Sequence, residues 1–465
     1  MTLKNRLWIA LGLFLLPILF QAAHYTGLPQ PRPTPQMPEY ASFRAPEAPT
    51  PSAELVPAEV NHSGARILLD LNHQNTYQIA DVELFTRALA ARGATVEYYF
   101  ITDLDTRPLA ERLKYADAFV LFSPYMIFEA SEVTALRDFV AQGGRLLVFA
   151  DAYRGVQGYS GEFPDTVSAN LLLAPYGLSF TGNYVYNLAE NDGNFRNVKL
   201  NDFAENALTS GLKQVVFYGA RSVNITGGEA LIRGDANLRS SLNDQGGGLA
   251  VAGVDASGNV AAIGSYTFMT PPFDQAADNA RLIQNLAEFA LSGQRLPALA
   301  NFPFVFTRPV SLVTAGNAKL TAETLTAVAG LQTTLRGINL PLSLSADTGS
   351  GDWLILGSFT DSDLLNPYFD QFGVTFEDGS ETITIAGLGE IGRAGNGVIL
   401  FLPGLNHNAL VLLADTPEDL AMLINLAAYG DLSGCVVQQN IGVCPVGSGG
   451  AFGGEATPTT DAAAG

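Results

Sequence analysis

The sequence predicts an α/β protein: a first domain built on a parallel sheet, followed by a second, smaller α/β domain. Three observations predict it. Residues 66–151 alternate short apolar runs with amphipathic stretches at the spacing of strand–helix–strand units. A similar alternation returns after residue 300. The chain has 465 residues, whereas single cores stop growing at roughly 250–300 residues, so more than one domain is required.

Composition bounds the function. An apolar fraction of 47% with 15% charged residues describes a globular chain. A formal charge of −20 excludes nucleic acid as a partner, because phosphate binding needs a basic face that this chain cannot assemble. No cofactor is expected, and no resident metal.

Taken in order, residues 1–23 form a targeting segment. Lys4 and Arg6 precede an uncharged run over 7–20, and Gln21-Ala22-Ala23 follows. That run is short against the roughly 20 residues of a spanning helix and matches the core of a signal peptide. Phe20 and Gln21 stand where a cleavage site wants a small residue, which favours an uncleaved signal anchor. Lys4 and Arg6 would then face the cytoplasm and the remaining domains would be exported, or secreted if the segment is cleaved. Residues 24–60 read as a proline-rich linker, with prolines at 29, 31, 33, 35, 38, 46, 49, 51 and 57. Such a segment stays extended and would act as a stalk. At the other end, residues 448–465 are rich in Gly, Ala and Thr and are expected to be disordered.

The first folded domain is expected over 61–295. Strands are predicted at 66–71, 95–101, 118–122 and 145–150. Helices fall between them at 79–92, 108–114 and from Ser131, taken as an N-cap, to Gly143-Gly144. Residues 248–254 and 260–266 read as an antiparallel hairpin around Asp255-Ala256-Ser257-Gly258-Asn259, and 276–291 as a long amphipathic helix.

Three groups of residues in this stretch carry a resemblance. Asp70 with Asn72-His73-Gln74-Asn75 follows the first strand, Phe122-Ser123-Pro124 ends the third, and Gly143-Gly144-Arg145-Leu146-Leu147-Val148-Phe149-Ala150-Asp151 closes the fourth. Asn170 to Leu178, Ile263-Gly264-Ser265-Tyr266 and Asp278-Asn279-Ala280-Arg281-Leu282 continue the pattern. Together they resemble the DUF4350 family over residues 61–295. That family is similar to the auxiliary domain of gliding-type ABC transport systems and to the class I glutamine amidotransferase fold. The resemblance implies a flavodoxin-like, class I glutamine amidotransferase-like domain. Where relatives carry an Asp after the Ile-Gly pair, this chain has Ser265.

The parent chemistry is excluded by composition. Class I amidotransferases need a cysteine on the sharp turn after the third strand, activated as a thiolate, and a histidine base. Here the turn reads Ser123-Pro124-Tyr125-Met126, and the chain's cysteines are Cys435 and Cys444. A hydrolase using the strand-end cleft around His73 and Ser123 is the alternative. Against it, Pro124 removes the backbone donor that the residue after a nucleophile supplies to an oxyanion. Asp70, His73 and Asp151 read as a hydrogen-bonding cluster in preference to a metal site.

Candidate ligand-binding residues are Asn72, His73, Asn75, Tyr77, Ser123, Tyr125, Asp151, Tyr153 and Arg154, which the topology would gather at the carboxyl ends of the strands. Amides and aromatic faces are the groups that bind sugars or peptides. Glu190, Asp192 and Asn194 alternate in a glycine-containing loop, but their spacing lacks the terminal bidentate Glu of a calcium loop and reads as a solvated loop.

The second α/β domain is expected over 296–447, with strands at 309–315, 353–357, 383–386, 397–402 and 409–414 and helices at 321–331 and 361–372. Thr416-Pro417-Glu418-Asp419 is a strong helix start, and Gly430 is expected to end that helix. Residues 409–429 resemble the α/β modules of the cellulose synthase regulatory subunit. His407, between Asn406 and Asn408, reads as a turn residue. Cys435 and Cys444 bracket a hairpin and are expected to form a disulfide, in keeping with an exported chain. The expected function is that of a non-enzymatic, membrane-tethered extracytoplasmic binding or scaffold protein. Its partners would be the membrane, through the N-terminal segment, and either cell-envelope glycans or an ABC-type transport assembly.

Overall fold

The computed structural model describes residues 2–26, 49–62, 64–154, 164–243, 246–295, 297–316, 318–345, 349, 351–360, 362–377, 379–404, 407–429, 432 and 434–447. Most of the linker prolines, the 448–465 tail, Asp361, Asn406 and Gly430 lie outside them. The chain divides into two compact units, Met1–Glu47 and Ala48–Gly465.

The first unit holds helix α1 (Leu3–Thr26). Its apolar stretch Leu3–His24 covers 22 residues and is long and apolar enough to cross a membrane. At 1.5 Å per residue that is about 33 Å, against a hydrocarbon core of about 30 Å. The uncharged run over 7–20 therefore understates the helix, which incorporates Lys4 and Arg6 at one end and His24 at the other.

The second unit begins with a strap. The carbonyl of Pro49 accepts from Ala277 N–H, and Val56 exchanges hydrogen bonds with the Gln284 side chain. The Ser52 and Ala53 N–H groups both donate to the Asp278 carboxylate, at 2.7 Å each. Pro49 and Pro51, expected in a free linker, thus lie in a segment bonded to the body.

The first sheet starts from the alternation the sequence announced. Strands β1 (Arg66–Asp70), β2 (Thr95–Tyr99), β3 (Ala118–Phe122) and β4 (Arg145–Phe149) are linked by α2 (Glu83–Ala90), α3 (Leu109–Leu113) and α4 (Ala130–Ala141). Glu129, not Ser131, is the N-cap of α4, and its N–H donates to Glu132 at 2.9 Å. Helix α5 (Pro164–Leu173) follows β4. An insertion of short strands comes next: β5 (Leu178–Phe180), β6 (Val185–Tyr186), β7 (Asn197–Leu200), β8 (Asp202–Phe203), β9 (Val215–Tyr218), β10 (Val223–Ile225), β11 (Gly228–Arg233) and β12 (Arg239–Ser240). The expected hairpin forms as β13 (Ala250–Asp255) and β14 (Val260–Ile263) and leads to α6 (Asn279–Leu291). Helix α6 starts later than periodicity suggests, because Ala277 has φ +47 and cannot continue a right-handed helix.

The sheet order is β2-β1-β3-β4-β14-β13-β11-β8. The first five strands are mutually parallel, and β14 joins β4 in parallel register from Leu146↔Val260 to Phe149↔Ile263. This is the flavodoxin-like 2-1-3-4-5 order, so the expected fold class is the observed one. Strand side chains alternate between two cores. Ile67, Leu69, Val120 and Phe122 pack with α2 and α6, while Leu68, Phe119 and Leu121 pack with α3, α4 and α5. Burial on both faces accounts for the near-continuous apolar runs.

The second sheet repeats the plan in reduced form. It contains β15 (Val310–Thr314), β16 (Leu342–Leu344), β17 (Asp352–Gly357), β21 (Asn396–Leu402), β22 (Ala409–Ala414), β23 (Val436–Gln438) and β24 (Ile441–Pro445). Its helices are α7 (Ala322–Gly337), longer than expected, α8 (Asn366–Phe372) and α9 (Pro417–Tyr429). A small separate sheet, β18 (Val374–Thr375), β19 (Thr382–Ile385) and β20 (Gly389–Gly392), lies beyond α8. The order β16-β15-β17-β22-β21-β24-β23 again runs parallel through its first four strands. The β21–β22–α9 passage matches β13–β14–α6: a hairpin whose second strand closes the parallel set, followed by a helix. Helix α9 packs on α7 as α6 packs on α2. The two sheets meet where the Tyr115 and Phe304 rings lie 4.6 Å apart and Arg295 donates to the Lys114 and Ala116 carbonyls.

Candidate functional site

In a 2-1-3-4-5 sheet the topological switch point lies between β1 and β3 at their carboxyl ends, where ligands bind in open α/β folds. The loops there are 71–78 and 123–129. They are stitched together: Thr76 N–H donates to the Phe122 carbonyl, and the Tyr125 and Met126 N–H groups both donate to the His73 carbonyl. The Asn75 side-chain oxygen accepts from Phe122 N–H at 2.7 Å.

His73 is 3% exposed and lies at the centre. Its Nδ1 is 3.0 Å from Asp70 and its Nε2 is 3.1 Å from Glu132 in the first turn of α4. The ring stacks on Phe128 at 3.6 Å, and the Tyr99 hydroxyl donates to the other Glu132 oxygen. Burial by itself would lower the imidazole, but the hydrogen bonds and charges of Asp70 and Glu132 outweigh it and raise His73 to about 9. It is therefore an imidazolium donating from both nitrogens. Glu132 is held below its ordinary value despite its burial, chiefly by the hydrogen bond from His73. A ring with both nitrogens occupied and a raised affinity for its proton has no lone pair for general-base work.

Ser123 stands beside this knot in an unusual state. Its φ of +49 is left-handed, its side chain is fully buried, and its hydroxyl is an orphan among the described residues. The strand-to-helix turn thus has the strained elbow geometry that presents nucleophiles in other α/β folds. Three features oppose that use: the burial, the proline that follows, and the commitment of His73 Nε2 to Glu132.

The remaining expected site residues divide. Tyr77 is buried, with its hydroxyl on the Asp70 carbonyl, and Asn75 also donates to the Asp70 carboxylate. Asn72 accepts from Ile101 N–H. Asp151 does not join Asp70 and His73. Fully buried, its carboxylate is raised by desolvation and accepts from the N–H groups of Tyr153, Tyr266 and Thr267 and the Ser265 hydroxyl. Arg154 is likewise engaged, in a two-pronged pair with Asp81. These residues hold loops together, and only Tyr125 and Tyr153 present exposed rings. Phe100, Ile101 and Leu104 are exposed on the loop after β2, and Met126 and Ile127 beside Tyr125 on the loop after β3.

Sequence reasoning missed Glu132. It lies 59 positions from His73, and only its place three residues after Glu129, as the partner of a helix cap, marks it. In the loop expected to be solvated, Asp192 accepts from the Tyr218 hydroxyl, and Glu190 and Asn194 are exposed. His407 stacks on Trp353 at 3.6 Å, as a turn residue bracing a ring. Cys435 and Cys444 are disulfide-bonded.

No family model matches the sequence, and no curated protein matches it. Among solved structures the chain is similar to the mmIFT52 N-terminal domain, with 15% identity, a TM-score of 0.39, and coverage of 49% of this chain and 98% of that one. It is also similar to a ThuA-like protein from Bacteroides uniformis, with 14% identity and a TM-score of 0.32, covering 51% of this chain and 94% of that one. A β-galactosidase from the Antarctic haloarchaeon Halorubrum lacusprofundi shows 16% identity and a TM-score of 0.29, covering 52% of this chain and 33% of that one.

Proposed function

We propose that this chain is a membrane-tethered, extracytoplasmic binding or scaffold protein of DUF4350 type, held by α1 and presenting the second unit to envelope partners. The single observation that carries the reading is the commitment of His73, whose two ring nitrogens both donate to carboxylates and so offer Ser123 no free base in the strand-end cleft. The apolar N-terminal helix is compatible with a membrane anchor or signal sequence, and the disulfide is consistent with an oxidising compartment. The partners it would serve are cell-envelope glycans or an ABC-type transport assembly.

The left-handed backbone and orphan hydroxyl of Ser123 favour the alternative, a hydrolase using the strand-end cleft. Three measurements test the reading, and the third separates it from its alternative. The full chain is expected to stay in the membrane pellet after alkaline carbonate, to be digested by protease added outside intact cells, and to take up no fluorophosphonate. Carbonate extraction or protection from external protease would overturn the tether. A fluorophosphonate adduct mapped to Ser123 would replace the binding role with hydrolysis.

A further inference from the structure

A second cluster lies away from the His73 knot, where the insertion meets the loop after β4. Arg196 is sandwiched between two rings: its guanidinium carbon is 4.3 Å from the centre of Tyr184 and 5.1 Å from that of Tyr153. Tyr186 neighbours Tyr184 at 6.3 Å, and Phe195 meets Tyr186 edge-on at 6.0 Å. Tyr153 is 52% exposed and Phe195 43% exposed, so the group opens to solvent.

The backbone builds this arrangement. Tyr184 and Tyr186 are two positions apart on an extended segment, which puts both rings on one face. Gly219, with φ +64, donates its N–H to the Arg196 carbonyl and accepts at its own carbonyl from Ala152 N–H. A Cβ at Gly219 would lie 2.4 Å from the Tyr153 ring, so only glycine leaves that ring room beside Arg196.

Arg196 is unlike the paired arginines of this chain. Arg66, Arg92, Arg112, Arg154, Arg221 and Arg393 each meet a carboxylate. Among the described residues, no side chain or carbonyl accepts a hydrogen bond from the Arg196 guanidinium, and its Nε is buried without a partner. Two aromatic faces hold the plane of the guanidinium, which fixes its orientation and leaves its edge as an unused donor fork. A planar fork of this kind matches a carboxylate.

We infer that the Tyr153–Arg196–Tyr184 stack is a binding site for a carboxylate-bearing saccharide of the hexuronate type. The fork takes the carboxylate, and the exposed tyrosine and phenylalanine faces take the C–H faces of the sugar rings. Charge selects against denser anions. The same loop carries Glu190 and Asp192 and the chain bears a net −20, so polyphosphates and oligoglutamate, which are denser in charge, are repelled more strongly than a hydroxyl-rich ligand with one carboxylate per sugar ring. This inference rests on the extracytoplasmic binding reading above and names the ligand class and the residues that read it.

The test uses the full chain in detergent, titrated calorimetrically with an oligogalacturonate, a neutral oligogalactoside of the same length and an oligoglutamate peptide. Wild-type protein is expected to bind the oligogalacturonate at least tenfold more tightly than the other two. Arg196→Gln and Arg196→Lys should each weaken that binding at least tenfold with an unchanged thermal melt, since lysine keeps the charge but loses the fork. Tyr153→Ala should weaken it as well, and Arg336→Gln on α7 should not. Failure of the oligogalacturonate to bind would overturn the inference, as would wild-type affinity in either Arg196 variant or an equal affinity for the peptide. The pellet and protease measurements do not involve Arg196, so a failed site and a failed tether are distinguishable.

Discussion

His73 shows how one residue's surroundings decide its chemistry. A histidine at a strand end reads as a base, yet between Asp70 and Glu132 it becomes a cation that ties loop 71–78 to the start of α4. Its folded value near 9 lies above the ordinary 6.5, so its contribution to stability is complete below pH 6.5 and is lost as the pH rises through 9. The size of that contribution is about 3 kcal/mol. Denaturant melts between pH 6 and pH 10 should show wild-type stability falling across this window and His73→Gln flattening it. A His73→Gln profile as steep as wild type would remove the ion triad from the account. Asp70 was legible in the sequence because it sits three positions from His73. Glu132 was not, because the sheet topology brings it there.

At the scale of elements, one side chain joins the strap to the loop before β9. The Asp278 carboxylate accepts from Ser52 N–H and hydroxyl, Ala53 N–H, Lys213 N–H and Gln214 N–H, and these backbone bonds keep it below its ordinary value against a desolvation that would raise it. Asp278→Ala would leave those donors without an acceptor. The expected cost is about 3 kcal/mol, because each unsatisfied buried group is worth roughly 1–3 kcal/mol. Equilibrium unfolding of the variant checks the loss, and faster proteolysis near residue 52 should accompany it.

Elements also mark how far the sequence could be read. Strands β1, β3 and β4 were visible because five-residue apolar runs are recognisable when buried on both faces. In the insertion, β6, β8 and β12 have two residues each, too few for any period to register. For Asp151 and Arg154 the partners were not legible, since they come from Ser265 to Thr267 and from Asp81. The stacked Arg196 left only the Tyr184-Val185-Tyr186 alternation as a trace, because its rings arrive from separate segments.

Over the whole molecule, the two sheets are variations on one plan: the second lacks one strand–helix unit and ends in the disulfide hairpin. That hairpin pairs with β21 through β24, so the bond secures the edge of the second sheet alone. Reduction should cost about 2–3 kcal/mol. Hydrogen exchange is expected to accelerate over 436–445 while β1 to β4 keep their protection. Loss of protection in β1 to β4 on reduction would show that the two sheets unfold as one cooperative body.

The position of β14 has a consequence for how the chain comes together. Strands β1 to β4 arrive early during synthesis, but the neighbour that completes their parallel set begins at Val260 and pairs with Leu146. Until the whole insertion has emerged, β4 offers an open edge with apolar residues on both faces. Closing so long a loop is slow, and an open edge invites the wrong partner in the meantime. Production of this protein should therefore be limited by the lifetime of that half-built sheet, making a chain cut shortly after residue 240 more prone to aggregate than one cut after residue 295.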